Sequence, residues 1–334
     1  YSEKPETLRE SIDSILNQTF RNFEFLVYLD KPDNEELWRF LTEYAQTDQR
    51  LVIHKNEVNR SLAGTLNDEL KVAKGDYIVR MDGDDISVPN RIELLVEYME
   101  SHPEVGVASS WMKEFGNKES WKNKTVKYTS DFAKMELMLL YQTPIAHAPC
   151  IIRRSVVEAY SPLYNEKCCR TQDYELWSRL VKEGVILGMV PQPLYLRRKS
   201  GDFGPKPINF RVIHNQIARH NIGNFLSKYQ IELPAVIDDI FIANIHKTGG
   251  KIYADWDQDM DEIPGLPDLN LDGPYSDCPK NVPMPLVRSG NSAKRVSPSM
   301  MPSRSRFACV IVSYLIYIVP LGRSLRITTA TCVR

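Results

Sequence analysis

The sequence has almost no excess charge, few histidines and no paired cysteine motif. Its 334 residues include 42 basic and 43 acidic side chains, for a formal net charge of −1. No global field would therefore attract nucleic acid, and an anionic ligand would have to be held by local groups. The six cysteines form no CxxC pair and no Cys/His spacing suited to zinc. This pattern favours reduced thiols in a cytosolic protein.

Long apolar runs are also scarce. The strongest, "FACVIVSYLIYIVPL" at residues 307–321, is shorter than the about 20 residues that a membrane-spanning helix needs. A membrane anchor is therefore the minor interpretation of this segment. The chain starts at Tyr1 with no signal peptide ahead of the first helical pattern, so we expect a cytoplasmic fragment.

Residues 5–110 alternate between helical and strand periodicity. "PETLRESIDSILNQ" places Leu8, Ile12, Ile15 and Leu16 at helical spacing behind a proline that can begin a helix. Further helical patterns cover 34–46, 61–75 and 88–104, and strand patterns cover 23–30, 50–56, 76–82 and 105–111. Helices alternating with apolar strands predict an α/β fold with a mostly parallel sheet covered on both faces.

The alternation weakens after residue 111, which predicts a change of organisation. Helical patterns remain at 132–141, 172–184 and 207–230, whereas 255–306 is rich in Pro and Ser and lacks periodicity, which predicts disorder. We therefore divide the chain into three parts. These are a first half at 1–110, a second half with C-terminal helices at 111–250, and a low-order Pro/Ser-rich tail at 251–334 with a short apolar segment at 307–321.

An acidic cluster ends the strand pattern at 76–82. "YIVRMDGDDISVPNR" brings Asp82, Asp84 and Asp85 into four residues. Carboxylates at the end of a buried strand repel one another unless a cation lies between them, and such ligands suit a hard divalent cation. The alternative is a turn that caps the next helix. An EF-hand is excluded because Ser87 stands where its loop needs glycine.

The order of these motifs resembles a known enzyme family. "SIDSILNQTFRNFEFLVYLD" and the stretch from "NRSLAGTLNDEL" to "MESHPEVGV" resemble the donor half of family 2 glycosyltransferases, and "PIAHAPCIIRRSVVEAY" with "RTQDYELWSRL" resembles the acceptor half. The resemblance covers roughly residues 1–200. It implies the GT-A fold, a Rossmann-like three-layer α/β/α sandwich in which the acidic cluster is the DXD motif.

The resemblance also assigns donor-side residues. Asp82 would lie near the ribose, Asp84 would ligate Mg or Mn on the donor diphosphate, and Asp85 would assist. Asp30 would meet the base or ribose. Asn67 and Arg80 are two further candidates for donor contacts. Asn67 could equally be an exposed polar group of its helix, and Arg80 could equally form an ordinary ion pair at the end of its strand.

On the acceptor side, "TQDYELW" resembles the motif that supplies the catalytic base. Gln172 stands where the family usually has Glu, so the resemblance gives the base role to Asp173, which could also cap its helix. His147 in "IAHAP" is a candidate acceptor-side or phosphate contact, with a structural role as the alternative.

One element of the family pattern is missing at the start. The family normally opens with a strand of the type "VSVIIPVYN", and the chain begins with "YSEK". We expect a truncated sheet, unpaired backbone groups and a gap in the core, hence weak donor binding or low stability.

The leading functional hypothesis is an inverting, metal-dependent glycosyltransferase. It would move a sugar from a nucleotide-diphosphate donor to a hydroxyl of a glycan or lipid-linked acceptor, in surface polysaccharide or lipopolysaccharide synthesis, at or near the inner face of the membrane. An inactive family member that binds a sugar nucleotide or a partner is the alternative. A phosphatase with an aspartyl nucleophile at Asp82 is the third.

Overall fold

A computed structural model describes residues 5–116, 124–168, 170–199, 208–232, 271, 308–314, 317–319 and 326–328. The helices in this part are α1 Pro5–Leu16, α2 Glu35–Ala45, α3 Ser61–Val72, α4 Arg91–Ser101, α5 Phe132–Met138, α6 Arg154–Ala159, α7 Gln172–Lys182 and α8 Ile208–Lys228. The strands are β1 Phe23–Leu29, β2 Leu51–Lys55, β3 Tyr77–Asp82, β4 Ile86–Ser87, β5 Val105–Gly116, β6 Lys124–Val126, β7 Ile151–Arg153, β8 Ile186–Lys199, β9 Ala308–Tyr314, β10 Tyr317–Val319 and β11 Arg326–Thr328.

The predicted alternation over the first hundred residues is confirmed. α1 buries Leu8, Ile12 and Ile15 on one face, as their spacing predicts. The side chain of Asn34 caps α2 by accepting a hydrogen bond from the backbone N–H of Leu37 at 3.0 Å. Apolar periodicity together with local capping therefore accounts for these elements.

A nine-stranded mixed sheet forms the centre of the described structure. Its order is β2-β1-β9-β3-β7-β5-β8-β4, with β6 paired to β5. β2, β1, β9 and β3 are parallel neighbours, and β8 is parallel to β5. Because β7 is antiparallel to both β3 and β5, β5 runs in the same direction as β3. The mostly parallel sheet is thus confirmed.

Two apolar cores cover the two faces of this sheet. In β1, Leu26 and Tyr28 join the core that contains α3, α7 and α8, whereas Phe25 and Val27 join the core that contains α1, α2 and α4. Alternate residues of one strand therefore point into different cores, as the pleat requires. This arrangement confirms the predicted three-layer α/β/α sandwich.

The expectation of a gap at the centre of the sheet is wrong. β9, from the far end of the chain, lies between β1 and β3 and is parallel to both. The position between β1 and β3 is therefore occupied by residues 308–314. These residues belong to the short apolar segment at 307–321 within the predicted tail.

The other predictions for the second half have mixed outcomes. α7 and α8 confirm the helical patterns at 172–184 and 207–230, but β7 and β8 had no clear sequence signal. The proposed division at 110/111 falls inside β5. The stretch 255–306 lies outside the described residues apart from Leu271. Within the described part of the chain, no helix is long and apolar enough to cross a membrane.

Candidate active site

Acidic side chains lie at the carboxyl ends of neighbouring strands. Asp82 is the last residue of β3, and Asp30 follows directly after β1. β9 separates the two strands, with Ser313 in register with Asp82 and Tyr314 with Leu29. Since adjacent strands lie about 4.8 Å apart, the two carboxylate-bearing ends are roughly 10 Å apart. Ligands of open α/β sheets bind at this edge.

Asp82 is fully buried and paired with a buried cation. Its Oδ1 atom forms an ion pair with the guanidinium of Arg80, whose side chain is 3% exposed. The backbone N–H of Asp82 donates to the hydroxyl of Tyr195 at 3.0 Å. Burial raises the pKa of Asp82 to about 7, although the charge of Arg80 acts in the opposite direction. Burial and pairing therefore fix this carboxyl in one orientation.

Asp84 and Asp85 differ in exposure although they are adjacent. Asp85 is 1% exposed, and its Oδ1 accepts a hydrogen bond from the backbone N–H of Arg198 at 2.6 Å. Asp84 is only half-buried, and Nε of Arg198 donates to its backbone carbonyl at 2.8 Å. Arg198 also pairs with Glu10 of α1. The loop is thus held from the end of β8, with the side chain of Asp84 nearest to solvent.

A second buried arginine, Arg91, donates hydrogen bonds to the backbone next to the acidic cluster. Arg91 at the start of α4 donates to the carbonyl of Arg80 at 2.6 Å and to that of Ala148 at 3.3 Å. Its guanidinium lies 4.9 Å from the ring centroid of Tyr195. Sequence analysis missed both Arg91 and Tyr195. An arginine inside a helical apolar pattern is a local signal for the first, but Tyr195 lies 113 residues from its partner.

Asp30 is held by the loop before α3. Its Oδ1 accepts hydrogen bonds from Nδ2 of Asn56 at 2.7 Å and from the backbone N–H of Arg60 at 2.7 Å. Burial raises the pKa of Asp30 to about 6, and these hydrogen bonds act in the opposite direction. Ser61, which begins α3, has φ of 63°, a left-handed conformation. The left-handed residue thus follows directly after the amide that donates to Asp30.

The donor set at the end of β3 suits a hard divalent cation. Within the described ranges, no group of three or more His, Cys, Asp or Glu side chains is arranged to enclose a metal. Oδ2 of Asp82 is nevertheless buried with no hydrogen-bond partner among the described residues, and Asp84 reaches solvent. A cation here would have carboxylate ligands from one side only, so phosphate oxygens of a ligand could complete its shell. The residues therefore fit a hard divalent cation such as Mg²⁺ or Mn²⁺.

Asp173 lies in the first turn of α7. The helix begins at Gln172, which is buried, and Oδ1 of Asp173 accepts a hydrogen bond from the N–H of Tyr174 at 2.8 Å. Burial raises the pKa of Asp173 to about 6, and the charge of Arg80 acts in the opposite direction. Asp173 is thus within electrostatic range of the cation that pairs with Asp82. The catalytic role of Asp173 remains a prediction.

The remaining predicted residues are occupied by internal contacts. Asn67 uses both ends of its amide on the backbone of Tyr164, donating to the carbonyl and accepting from the N–H at 2.9 Å each. A donor contact by Asn67 would require this cross-link to open. His147 is 6% exposed, its Nε2 lies 2.9 Å from the hydroxyl of Tyr164, and its ring meets Trp177 edge-on. Burial lowers the pKa of His147 well below its usual range, so this geometry favours the structural alternative for both residues.

Comparisons with known proteins agree with the fold and show the family. A sequence model of glycosyl transferase family 2 matches residues 1–161. EpsE of Bacillus subtilis is 33% identical over 204 residues, which cover 59% of this chain and 69% of EpsE. The chain belongs to glycosyl transferase family 2. This glycosyltransferase is also 29% identical over 225 residues to the amylovoran biosynthesis glycosyltransferase AmsE of Erwinia amylovora, covering 66% of the chain and 81% of AmsE.

A solved structure confirms the fold of this family 2 glycosyltransferase. S. aureus TarS 1–349 superposes with a TM-score of 0.51 at 17% identity, covering 74% of this chain and 70% of that one. A likeness at this identity supports the predicted GT-A fold alone. Across five curated relatives, the matched part spans between 62% and 86% of the relative's own length. The chain therefore corresponds to part of these proteins.

Proposed function

We propose that this family 2 glycosyltransferase moves a sugar from a nucleotide-diphosphate donor to a hydroxyl of a glycan acceptor, with inversion at the sugar carbon. The observation that carries the proposal is that buried Asp82, beside Asp84, pairs with the buried cation of Arg80, and that buried Asp173 lies within electrostatic range of the same cation. A leaving-group site and a base would then face each other across one sheet edge.

The donor would bind along the carboxyl ends of β1, β9 and β3. Asp30 would contact the base or ribose, Asp82 the ribose, and the diphosphate would lie beside Asp84. Asp84, with Asp82 and the assistance of Asp85, would hold Mg²⁺ or Mn²⁺. When bound, that cation would neutralise the charge that develops on the departing diphosphate. The chain itself fixes the carboxylate of Asp82 through Arg80 and that of Asp85 through the backbone N–H of Arg198, which also holds the backbone carbonyl of Asp84.

The acceptor hydroxyl would be deprotonated by Asp173. Inversion needs one carboxylate within about 3 Å of that hydroxyl, on the face of the sugar opposite to the leaving group. A pKa of about 6 leaves most of Asp173 ionised at neutral pH and keeps it a stronger base than a solvent-exposed carboxylate. As the attack proceeds, the proton passes to a carboxylate oxygen of Asp173, and the bond between the sugar and the diphosphate breaks.

The acceptor belongs, in this proposal, to a surface polysaccharide or lipopolysaccharide. The similarity to AmsE, whose name assigns it to amylovoran biosynthesis, supports this class of acceptor. A lipid-linked acceptor would bring the enzyme to the membrane surface by peripheral contact.

A donor screen tests the proposal. The full chain is incubated with UDP- and GDP-sugars in the presence of Mn²⁺ or of EDTA, and release of nucleoside diphosphate is measured. We expect release with at least one donor, abolished by EDTA. Asp84→Asn should weaken Mn²⁺-dependent binding of the same nucleoside diphosphate at least 10-fold, whereas Glu97→Gln, on the exposed face of α4, should leave it unchanged.

The screen also separates the enzyme from a binding module. Nucleotide binding without release from any donor, with or without added glycan acceptors, would support the inactive alternative that Gln172 suggests. Metal-dependent binding that survives intact in Asp84→Asn would contradict the metal role of the acidic cluster.

A further inference from the structure

A single residue of β8, Tyr195, lies at both ends of the acidic loop, which we define as residues 83–86 between β3 and Ser87. At the start of the loop, the backbone N–H of Asp82 donates to the hydroxyl of Tyr195 at 3.0 Å. At the end of the loop, Ser87 of β4 is in register with Tyr195 in the antiparallel pair of β4 and β8. The acidic loop is therefore fastened at both ends to one position of β8.

The hydroxyl of Tyr195 takes the place of a strand partner that β3 lacks at its end. The N–H of Arg80 donates to the carbonyl of Cys150 at 3.0 Å, directly ahead of β7. Backbone N–H groups two residues apart point to the same side of a strand, so that of Asp82 points past the end of β7. The chain turns there, with the N–H of Cys150 donating to the carbonyl of His147 at 3.2 Å. Because a buried N–H without a partner is costly, the hydroxyl fills a necessary position.

Arg91 satisfies the carbonyl groups in the same gap between β3 and the chain ahead of β7. Its guanidinium donates to the carbonyls of Arg80 and Ala148, and it lies 4.9 Å from the ring centroid of Tyr195. The ring of Tyr195 is fully buried. Replacing Tyr195 with phenylalanine would keep this ring against Arg91 and remove the hydroxyl alone, so that the role of the hydroxyl can be measured separately from packing.

An irregularity in β8 precedes this tyrosine. β5 and β8 are in register at Ser110 with Val190 and at Met112 with Tyr195, so a step of two residues along β5 matches a step of five along β8. The extra residues belong to "VPQPLY", in which each proline lacks an N–H to donate to the ladder. Bulges of this kind re-aim side chains beside functional sites. The local sequence of β8 therefore accounts for a tyrosine that leaves the regular register next to the acidic cluster.

We propose that Tyr195 is a positioning residue for the acidic cluster, whose hydroxyl holds Asp82 and Asp85 at the spacing that a divalent cation needs. A hydroxyl can accept one hydrogen bond and donate another. Burial raises the pKa of Asp85 well above its usual range, and the hydroxyl of Tyr195 acts in the opposite direction, so it lies beside this carboxyl as well as beside Asp82. Asp84 stands between the two anchored residues and would move with either. The inference rests on the proposed function, in which these carboxylates hold the cation.

Hydrogen exchange on the full chain, without metal or nucleotide, tests the contact itself. In Tyr195→Phe we expect the amide of Asp82 to exchange at least about 10-fold faster than in the wild type, because it loses its acceptor. Tyr98→Phe is the matched control, since the hydroxyl of Tyr98 accepts a hydrogen bond from the N–H of Met189 at 3.3 Å, near the other end of β8. The control should leave the amide of Asp82 unchanged. Equal exchange of this amide in Tyr195→Phe and in the wild type would overturn the inference.

Calorimetric titration with UDP and GDP at several Mn²⁺ concentrations tests the consequence for binding. We expect Tyr195→Phe to need about 10-fold more Mn²⁺ than the wild type for half-maximal nucleotide binding. Excess Mn²⁺ should then restore the nucleotide affinity to within about twofold of the wild type, which it could not do for a chain that had lost its fold. An unchanged Mn²⁺ requirement, a shift of the same size in Tyr98→Phe, or a loss that excess Mn²⁺ does not restore would each overturn the inference.

Failure of the proposed function would have a different outcome. If the wild type binds neither UDP nor GDP in the presence of Mn²⁺, the proposed donor site fails, and exchange at the amide of Asp82 decides by itself whether Tyr195 holds the acidic loop. If the wild type binds a nucleotide with Mn²⁺ and the two tyrosine variants bind it equally well, the proposed function stands and the inference about Tyr195 fails.

Discussion

Replacing Arg80 with methionine would leave Asp82 as an uncompensated buried carboxyl. Arg80 and Asp82 are 3% and 0% exposed and form an ion pair in the core of the site. Methionine retains most of the apolar stem, so the main loss is the positive charge. Breaking a buried ion pair by removing one partner costs about 3–5 kcal/mol. We therefore expect the free energy of unfolding to fall by about this amount.

The effect should depend on pH in a defined direction. The folded pKa of Asp82, about 7, is raised from an ordinary value of 3.8, so its linkage makes the protein less stable as pH rises between these values. Without Arg80 the folded pKa rises further, and the decline continues above pH 7. Each pH unit is worth at most about 1.4 kcal/mol. Arg80→Met should thus be more destabilising at pH 8.5 than at pH 6, by up to about 2 kcal/mol.

Urea denaturation at the two pH values measures this effect. Arg39→Met, on an exposed position of α2, is the matched control and should change the free energy of unfolding by less than about 0.5 kcal/mol. Adding Asp82→Leu to Arg80→Met should restore part of the loss at pH 8.5, because no buried charge then remains. A loss below about 1 kcal/mol at both pH values, with no pH dependence, would refute the reasoning.

Two further predictions concern the base and the strained turn. The pKa of Asp173 is about 6, and its ionised form is the proposed base, so kcat/KM for transfer should fall tenfold per pH unit below about pH 6. A pH profile of kcat/KM that is flat down to pH 5 would exclude Asp173 as the base. Ser61→Gly should raise the free energy of unfolding by about 0.5–1 kcal/mol, since glycine accepts the φ of 63° without strain. Ser101→Gly, in the last turn of α4, should instead lower it by up to about 1 kcal/mol, and equal signs for the two variants would contradict this account.

The first hundred residues of the fold were predictable because their cores are built from local periodicity. Leu8, Ile12 and Ile15 show helical spacing, and the apolar strand before Asp82 has a length and composition typical of a buried parallel strand. β9 was not predictable in the same way. An apolar segment does not indicate which strands it will pair with, and its partners are more than 200 residues away in the chain.

The residues of the candidate site were likewise only partly predictable from the sequence. Asp82, Asp84 and Asp85 stand together in the sequence, so their grouping was apparent, and the resemblance to the family added Asp30 and Asp173. The groups that orient them were not apparent, because Tyr195 and Arg198 reach the cluster from β8, more than 100 residues further along the chain. Asn67 shows the converse. An amide on the helix before the acidic strand is a plausible ligand in sequence, yet the fold uses it to hold Tyr164.

The most direct test of the central claim compares binding with transfer in Asp173→Asn. Asparagine retains the size of the side chain and can still lie beside the N–H of Tyr174, but it cannot take a proton at neutral pH. With the donor identified by the screen, binding is measured by calorimetry in the presence of Mn²⁺, and transfer by release of nucleoside diphosphate with acceptor. We predict donor affinity within about twofold of wild type and a loss of 10²–10⁴ in kcat. Turnover at the wild-type rate would contradict the assignment of Asp173 as the base.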